Sequence, residues 1–265
     1  MMPNSFDILG NIAILKFPEK TNKKEKIKTA REVLNVNKSV KTILEKTEKV
    51  HGRLRTIKTV YLAGERSKLA LYKENNCIFK FDVDKTYFSP RLSNERKEIA
   101  SQVKKNESVL VMFAGVAPFS IVIAKLAKPK FVYSVEINRE ASKYALENVR
   151  LNKTFNVEIV QGDVKKVIQK QGLIVKGKLI PLQFDRIVMP RPQLKETFLN
   201  LAFKVIKKGG IINYYGFSKD QEEIINSINE QAKKAKKQIK IILVKKAGNI
   251  APYKYRWRVD LRVMS

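Results

Sequence analysis

The sequence predicts an α/β protein: parallel-type strands closed by two antiparallel ones, preceded by a smaller α+β domain. Three observations point there. Ser108 to Phe119, S-V-L-V-M-F-A-G-V-A-P-F, is an apolar run that meets Gly115 and then Pro118, the pattern of a buried parallel strand, a tight turn and a helix start. Strand-like and helix-like segments alternate from there to the C-terminus. Before residue 86 the apolar stretches are short and broken by Gly64 and Asn75-Asn76, as in a small antiparallel sheet.

In order, Asn11 to Phe17 predicts a strand, and Lys23 to Leu34 a helix with Ile27, Ala30 and Leu34 on one face among lysines. Val60 to Leu62, Leu69 to Tyr72 and Ile78 to Val83 supply the antiparallel sheet. His51-Gly52-Arg53-Leu54-Arg55 is a basic turn leading into it, a solvated loop or a phosphate contact. Residues 1–86 form this first domain. Residues 87–106 are a linker and helix: Ser89-Pro90 marks a turn, Ser93 or Asn94 caps a helix to about Lys104, and Glu95 falls in its first turn, where a carboxylate suits the helix dipole. That linker leads straight into the sheet, so its charged groups can overhang the ligand turn.

Residues 107–265 carry the main sheet. Phe131 to Val135 is a second strand ending at Glu136, followed by a helix from Arg139 to Asn152 with Ala141, Ala145 and Val149 apolar at i, i+4 and i+8. Val157 to Val160 ends at Gly162-Asp163, and Phe184 to Met189 at Pro190-Arg191-Pro192. Gln193 to Ile206 reads as a helix stopped by Lys207-Lys208-Gly209-Gly210, and Ile211 to Tyr215 as a fifth strand. A basic helix over Gln221 to Lys237 precedes two closing strands, Ile239 to Val244 and Arg256 to Val263. The whole is a Rossmann-like, seven-stranded mixed sheet.

The 265 residues carry 54 Lys and Arg against 25 Asp and Glu, a formal charge of +29. Residues 1–80 hold 18 against 8 and the remainder 36 against 17, so the excess is spread over the chain. Such a surface fits a polyanionic partner; a merely lysine-rich solvated surface is the alternative. Cys77 is the only cysteine and His51 the only histidine. A disulfide framework, zinc spacings and most Ser/His or Cys/His nucleophile schemes are thereby excluded, and no metal is expected. Neither a secretory signal nor an apolar stretch long enough to span a bilayer is evident, which predicts a soluble, cytoplasmic protein. Nothing demands a dimer, and a monomer is expected.

The turn after the first main strand narrows the chemistry. Pyrophosphate binding needs G-x-G-x-x-G, whereas Gly115 is followed by Val116, Ala117 and Pro118. Glu136, 21 residues beyond Gly115 at a strand end, can accept from both hydroxyls of a ribose. Asp163, at the next strand end, can accept from an adenine amino group. Together they suit an adenosine ligand without pyrophosphate, such as S-adenosylmethionine. The competing account is that Glu136 and Asp163 cap the helices that follow them.

F-A-G-V-A-P-F, V-E-I-N-R-E-A with E-N-V-R-L-N-K, Gly162-Asp163-Val164, D-R-I-V-M-P-R-P and the upstream Y-F-S-P-R-L-S-N-E-R resemble the archaeal and eukaryotic class I tRNA (guanine37-N1)-methyltransferases over about residues 5 to 263. Members commonly carry a further N-terminal domain, and this chain resembles a minimal form. The resemblance implies methyl transfer from S-adenosylmethionine to N1 of guanine 37, with tRNA as partner through its anticodon loop and stem. It implies that Arg55 stabilises charge on guanine O6 and that Glu95 accepts the N1 proton. It also implies that Arg96, Phe113, Gly115, Glu136, Ile137, Asp163 and Val164 line the cofactor site. Orienting guanine in line, removing a proton and neutralising an oxygen needs a base and a cation and no covalent nucleophile.

Three positions depart from the family pattern. Val111 stands for an acidic residue, Ala117 for a second glycine, and Pro190 for an asparagine that contacts cofactor or base; proline offers only its carbonyl oxygen there. Pro190 is kept as a catalytic and cofactor-site candidate on its position. Two other readings stand beside the first. One is a wybutosine-pathway enzyme that transfers an aminocarboxypropyl group from the same cofactor to, or methylates, a guanine-37 derivative. The other is a tRNA-binding protein with a degenerate cofactor site. For a base splayed out of the anticodon loop, Tyr87, Phe88, Tyr253 and Trp257 are candidate stacking surfaces.

Overall fold

The computed structural model describes residues 6–48, 52, 54, 56–169, 172–175, 178–190, 194 and 196–265, with the backbone alone for 172–175 and 178–181. Arg55 and Arg191 lie outside the described residues, and with Arg55 the residue expected on guanine O6.

The N-terminal part opens with the hairpin β1 (Phe6–Leu9) and β2 (Ile12–Leu15), turned at Gly10. Gly10 has φ +63°, and a side chain there would meet the backbone of Leu71. The helix α1 (Lys23–Val36) is capped by Asn22, whose side chain accepts from the Glu25 N–H, and it buries Thr29, Ala30 and Val33. Two further strands, β3 (Thr42–Lys46) and β4 (Thr59–Gly64), complete a sheet in the order β1-β2-β3-β4, with β2 and β3 parallel across α1.

The expected single antiparallel sheet is therefore split. The hairpin β5 (Leu69–Glu74) and β6 (Cys77–Asp82) pairs only with itself, and its buried Phe79 and Phe81 join the core of the main domain. A 3-10 turn over Pro90–Leu92 then runs directly into α2 (Ser93–Gln102), so no side chain caps that helix. The Ser93 hydroxyl and carbonyl instead accept from the Asn75 amide.

The main domain follows as β7 (Ser108–Met112), α3 (Pro118–Ala127), β8 (Phe131–Glu136), α4 (Arg139–Leu151), β9 (Val157–Gln161) and α5 (Val164–Gln169). A short hairpin that the sequence did not announce, β10 (Gly172–Val175) and β11 (Lys178–Pro181), precedes β12 (Phe184–Met189) and α6 (Leu199–Val205). Next come β13 (Ile206–Ser218), α7 (Gln221–Lys234), β14 (Ile239–Ala251) and β15 (Lys254–Val263). Lys207 to Gly210 do not end a helix before a loop; they lie inside β13, which is longer than its apolar run.

The sheet order is β14-β15-β13-β12-β7-β8-β9. The five strands from β13 to β9 are parallel and β15 runs antiparallel to both its neighbours, the expected seven-stranded mixed sheet. One face of β7 packs Val109 and Val111 against α3 and α4. The other packs Leu110 and Met112 against the layer of α5, α6 and α7. Burial on both faces is why β7 reads as an unbroken apolar run.

Candidate active site

At the carboxyl end of β7 the chain turns through three left-handed residues: Phe113, Gly115 and Ala117 have φ of +59°, +57° and +64°. Only glycine takes that region without steric cost, so Phe113 and Ala117 hold local strain of about 1 to 2 kcal/mol each. The position where the family pattern favours glycine is thus one whose backbone favours it too. The Gly115 N–H donates to Glu136 Oε2 and the Asn138 N–H to Oε1, both at 2.7 Å. Burial pushes the Glu136 carboxyl above its ordinary range, opposed by the N–H groups of Asn138, Gly115 and Ile137.

Glu136 is not a helix cap. Asn138 caps α4, accepting from the N–H groups of Glu140 and Ala141. Asp163 does accept from the Lys165 N–H in the first turn of α5, so its structural role holds alongside any ligand role. Beside Glu136, Phe113, Ile137, Gly162, Asp163, Val164 and Phe198 line one narrow slot, with the rings of Phe113 and Phe198 edge to face at 5.0 Å. Four expected cofactor residues, Phe113, Ile137, Asp163 and Val164, therefore meet in one slot. Leu194 and Phe198, which close it, were not singled out; they come from the segment after β12, where sequence periodicity is weak.

The lining of the slot suits an adenosine moiety. Its walls are apolar and aromatic, Asp163 is a polar group at its edge, and the Glu136 carboxylate, held by the N–H groups of Gly115, Asn138 and Ile137, stands beside it as a candidate acceptor for ribose hydroxyls. A wider, open cleft of about 810 Å³ lies at the opposite, amino ends of the strands, lined by Lys104, Lys105, Asp185, Arg186, Lys208 and Arg262. Ligands of open α/β sheets bind at the carboxyl ends, which makes the smaller slot the candidate site.

Glu95 and Arg96, adjacent in α2, part company. Arg96, expected to line the cofactor site, has its guanidinium engaged elsewhere. Its guanidinium forms a bidentate pair with Glu74 of β5, the two side chains 1% and 3% exposed, and donates to the Ser89 carbonyl at 3.0 Å. It stacks over Phe88 and Phe119 at 5.1 and 5.8 Å. Arg96 therefore ties the linker and the hairpin β5–β6 to α3.

Glu95 points the other way, under α2. Its Oε2 accepts from the Tyr215 hydroxyl and from Arg258 Nη1, each at 2.9 Å, and Lys245 Nζ stands 3.1 Å from Oε1. Tyr215 lies with its ring 5.8 Å from Phe119, in the first turn of α3, which brings Glu95 to the same end of the sheet as the slot. Pro190 follows β12 at that end, half-buried. Tyr215, Lys245 and Arg258 were not singled out from sequence. The available signal was R-W-R-V-D-L-R-V, a strand with charges at positions that should be buried.

Profiles of known families place this chain. Residues 70–242 match the TRM5/TYW2 methyltransferase domain and residues 1–67 the TYW2 N-terminal domain. The chain belongs to the TRM5/TYW2 methyltransferase family. Within it, the tRNA (guanine(37)-N(1))-methyltransferase Trm5b of Pyrococcus abyssi is 37% identical over 265 residues, 99% of this chain and 76% of its own length. Its crystal structure superposes with a TM-score of 0.86 at 36% identity over the same shares. The Nanoarchaeum equitans tRNA (guanine(37)-N(1))/4-demethylwyosine(37)-methyltransferase Taw22 is 35% identical over 97% of this chain and 99% of its own length. The structure of Methanocaldococcus jannaschii TYW2 in complex with AdoMet matches with a TM-score of 0.71 at 26% identity, covering 98% of this chain and 99% of that one. This TRM5/TYW2 member is accordingly an S-adenosylmethionine-dependent enzyme, and the slot is the candidate for its cofactor site. Among the described residues no helix is long and apolar enough to cross a membrane, and no group of three or more His, Cys, Asp or Glu could hold a metal ion.

Proposed function

We propose that the protein methylates N1 of guanine 37 of tRNA with S-adenosylmethionine as donor. The observation that carries this reading is the pairing of a ribose-type acceptor and adenine-type slot with a buried carboxylate at the same end of the sheet, in a chain similar to guanine-37 methyltransferases along nearly its whole length. S-adenosylmethionine supplies an activated methyl group on a sulfonium. Glu136 accepts from the ribose hydroxyls, while Phe113, Ile137 and Val164 hold the adenine face and Asp163 its amino edge. Glu95 accepts the N1 proton as the nitrogen takes the methyl carbon and the carbon–sulfur bond leaves its electron pair on sulfur. As carbon transfers, positive charge passes to the guanine and its N1 proton becomes strongly acidic. Placement of the base then matters more than its strength. Arg55, by its position in the basic turn, is the cation for O6, and the Pro190 carbonyl stands where an asparagine would otherwise meet cofactor or base. The partner is tRNA, held at its anticodon loop and stem by a monomer in the cytoplasm.

The test is transfer of labelled methyl to two unmodified tRNA transcripts that differ only in guanine or adenine at position 37. Label in the guanine transcript alone supports the proposal; label in both, or in the adenine transcript alone, overturns it. A second reading, aminocarboxypropyl transfer to a 4-demethylwyosine base, is favoured by the TYW2 character of residues 1–67 and by Pro190. The mass added to a pre-modified tRNA separates the two groups.

A further inference from the structure

The underside of α2 is where an amphipathic helix would place its apolar stripe. Beside the buried Ile99 and Ala100, Glu95, Glu98 and Gln102 meet a layer of charge. Arg258 Nη1 lies 2.9 Å from Glu95 Oε2 and 2.5 Å from Glu98 Oε2, and Arg258 Nη2 lies 3.2 Å from Asp260. Lys245 bridges the two glutamates at 3.1 and 2.6 Å. Deeper in the layer Asn213 donates to Asp260 at 2.7 Å and accepts from Arg186 at 3.1 Å, and Arg186 pairs with Glu107 at 2.8 Å. Apolar residues of similar volume would stabilise the buried part of this interface at least as well, because Glu95, Arg258 and Asp260 have been taken from water.

The donors are distributed unequally over the Glu95 carboxylate. Oε2 takes both Tyr215 and Arg258, which fills its two lone pairs. Among the described residues Oε1 meets the ammonium of Lys245, on a side chain 38% exposed. We infer that Tyr215 and Arg258 are positioning residues: by saturating Oε2 they fix the rotation of the carboxylate and commit Oε1 to the guanine N1 proton. The inference rests on the reading of Glu95 as the base. Burial, together with the neighbouring Glu95, raises the Tyr215 phenol well above its ordinary value, so it is a donor throughout the working pH range. Arg258 is held rigidly in turn, since Asp260 and Glu98 grip the same guanidinium and leave it one geometry.

The experiment measures single-turnover methylation, with KM for tRNA and S-adenosylmethionine affinity in parallel, for Tyr215→Phe, Arg258→Lys, Glu95→Gln and the Tyr215→Phe/Glu95→Gln double variant. Tyr215→Phe keeps the ring packed on Phe119 and removes only the hydroxyl. It should lower the rate about tenfold with KM and cofactor affinity unchanged. Arg258→Lys keeps the charge but loses the fork and should fall further. In the Glu95→Gln background Tyr215→Phe should have no additional effect, because it acts only through that carboxylate. An unchanged rate in Tyr215→Phe, or an equal loss in both backgrounds, overturns the inference while leaving Glu95 as base. A Glu95→Gln variant as fast as the parent overturns the reading of the base itself, and the inference with it.

Discussion

Ala117 shows what a single backbone angle demands. Its φ of +64° would suit glycine, yet its methyl is fully buried at the start of α3. Replacing it by glycine would relieve strain of about 1 kcal/mol but lose a buried methyl and add chain entropy of similar size, so it should be nearly neutral. Ala117→Val, with a branched side chain forced to positive φ in a filled core, should cost about 3 kcal/mol, read as a shift in urea midpoint. Glu136 gives a second residue-scale test. Its carboxyl is raised by burial, so the neutral form is favoured in the folded protein. The corresponding stability is present at low pH and is lost as pH rises through the folded value. Binding runs the opposite way, because the ionised form is the better acceptor for ribose hydroxyls. S-adenosylmethionine affinity, followed by calorimetry from pH 8 to 5, should weaken within a range above that of an ordinary carboxylate. Glu136→Gln should bind weakly at every pH. Affinity that stays level to pH 5 would remove Glu136 from the ribose.

At the scale of elements, the docking of β5–β6 explains the spacing in E-N-V-R-L-N. Asn148 accepts from the Lys80 N–H and donates to the carbonyls of Lys80 and Val116; one helical turn on, Asn152 accepts from the Ile78 N–H and donates to the Ile78 carbonyl. The two amides act as a short surrogate strand. Their i, i+4 rise along α4, about 6 Å, matches the i, i+2 rise along a β edge. Asn148→Ala leaves three buried backbone groups short of a partner and should cost about 3 kcal/mol by chemical denaturation. The hairpin should then become the first segment to exchange its amides. That exchange would propagate to the loop of Gly115 through Val116. Helix α4 itself was legible from its apolar period, but the purpose of its asparagines was not, since their partners lie 68 and 74 residues away.

For the whole molecule, the charge of +29 is the dominant long-range property. Ion pairs, among them the buried Arg96–Glu74 and Arg186–Glu107 pairs, neutralise part of the 54 basic side chains, and the net excess of 29 remains for a polyanion. The end of α7 and the turn after it carry Lys233, Lys236 and Lys237 beyond the Lys234–Glu230 pair. If these three each meet a phosphate, changing them together to Gln should lower the slope of log affinity for tRNA against log salt by about 2, with S-adenosylmethionine affinity unchanged. A slope equal to that of the parent would assign this run to solvated surface. Cys77, whose thiol is pushed up to about 11 by burial, has no part in this chemistry.

The sequence by itself determined the fold class, the parallel run and its antiparallel closure, and it pointed to candidate residues at the strand ends. Each of those depends on a local pattern: an apolar run, a glycine or proline at a turn, an acid where a strand stops. Only the tertiary structure decided that Arg96 is spent on Glu74, that β5–β6 leaves the small sheet for α4, and that Glu95 is gripped by Tyr215 and Arg258. Those contacts join residues 22, 120 and 163 positions apart or lie between whole elements. No periodicity along the chain encodes them, because they are set by which faces the packed sheet brings together.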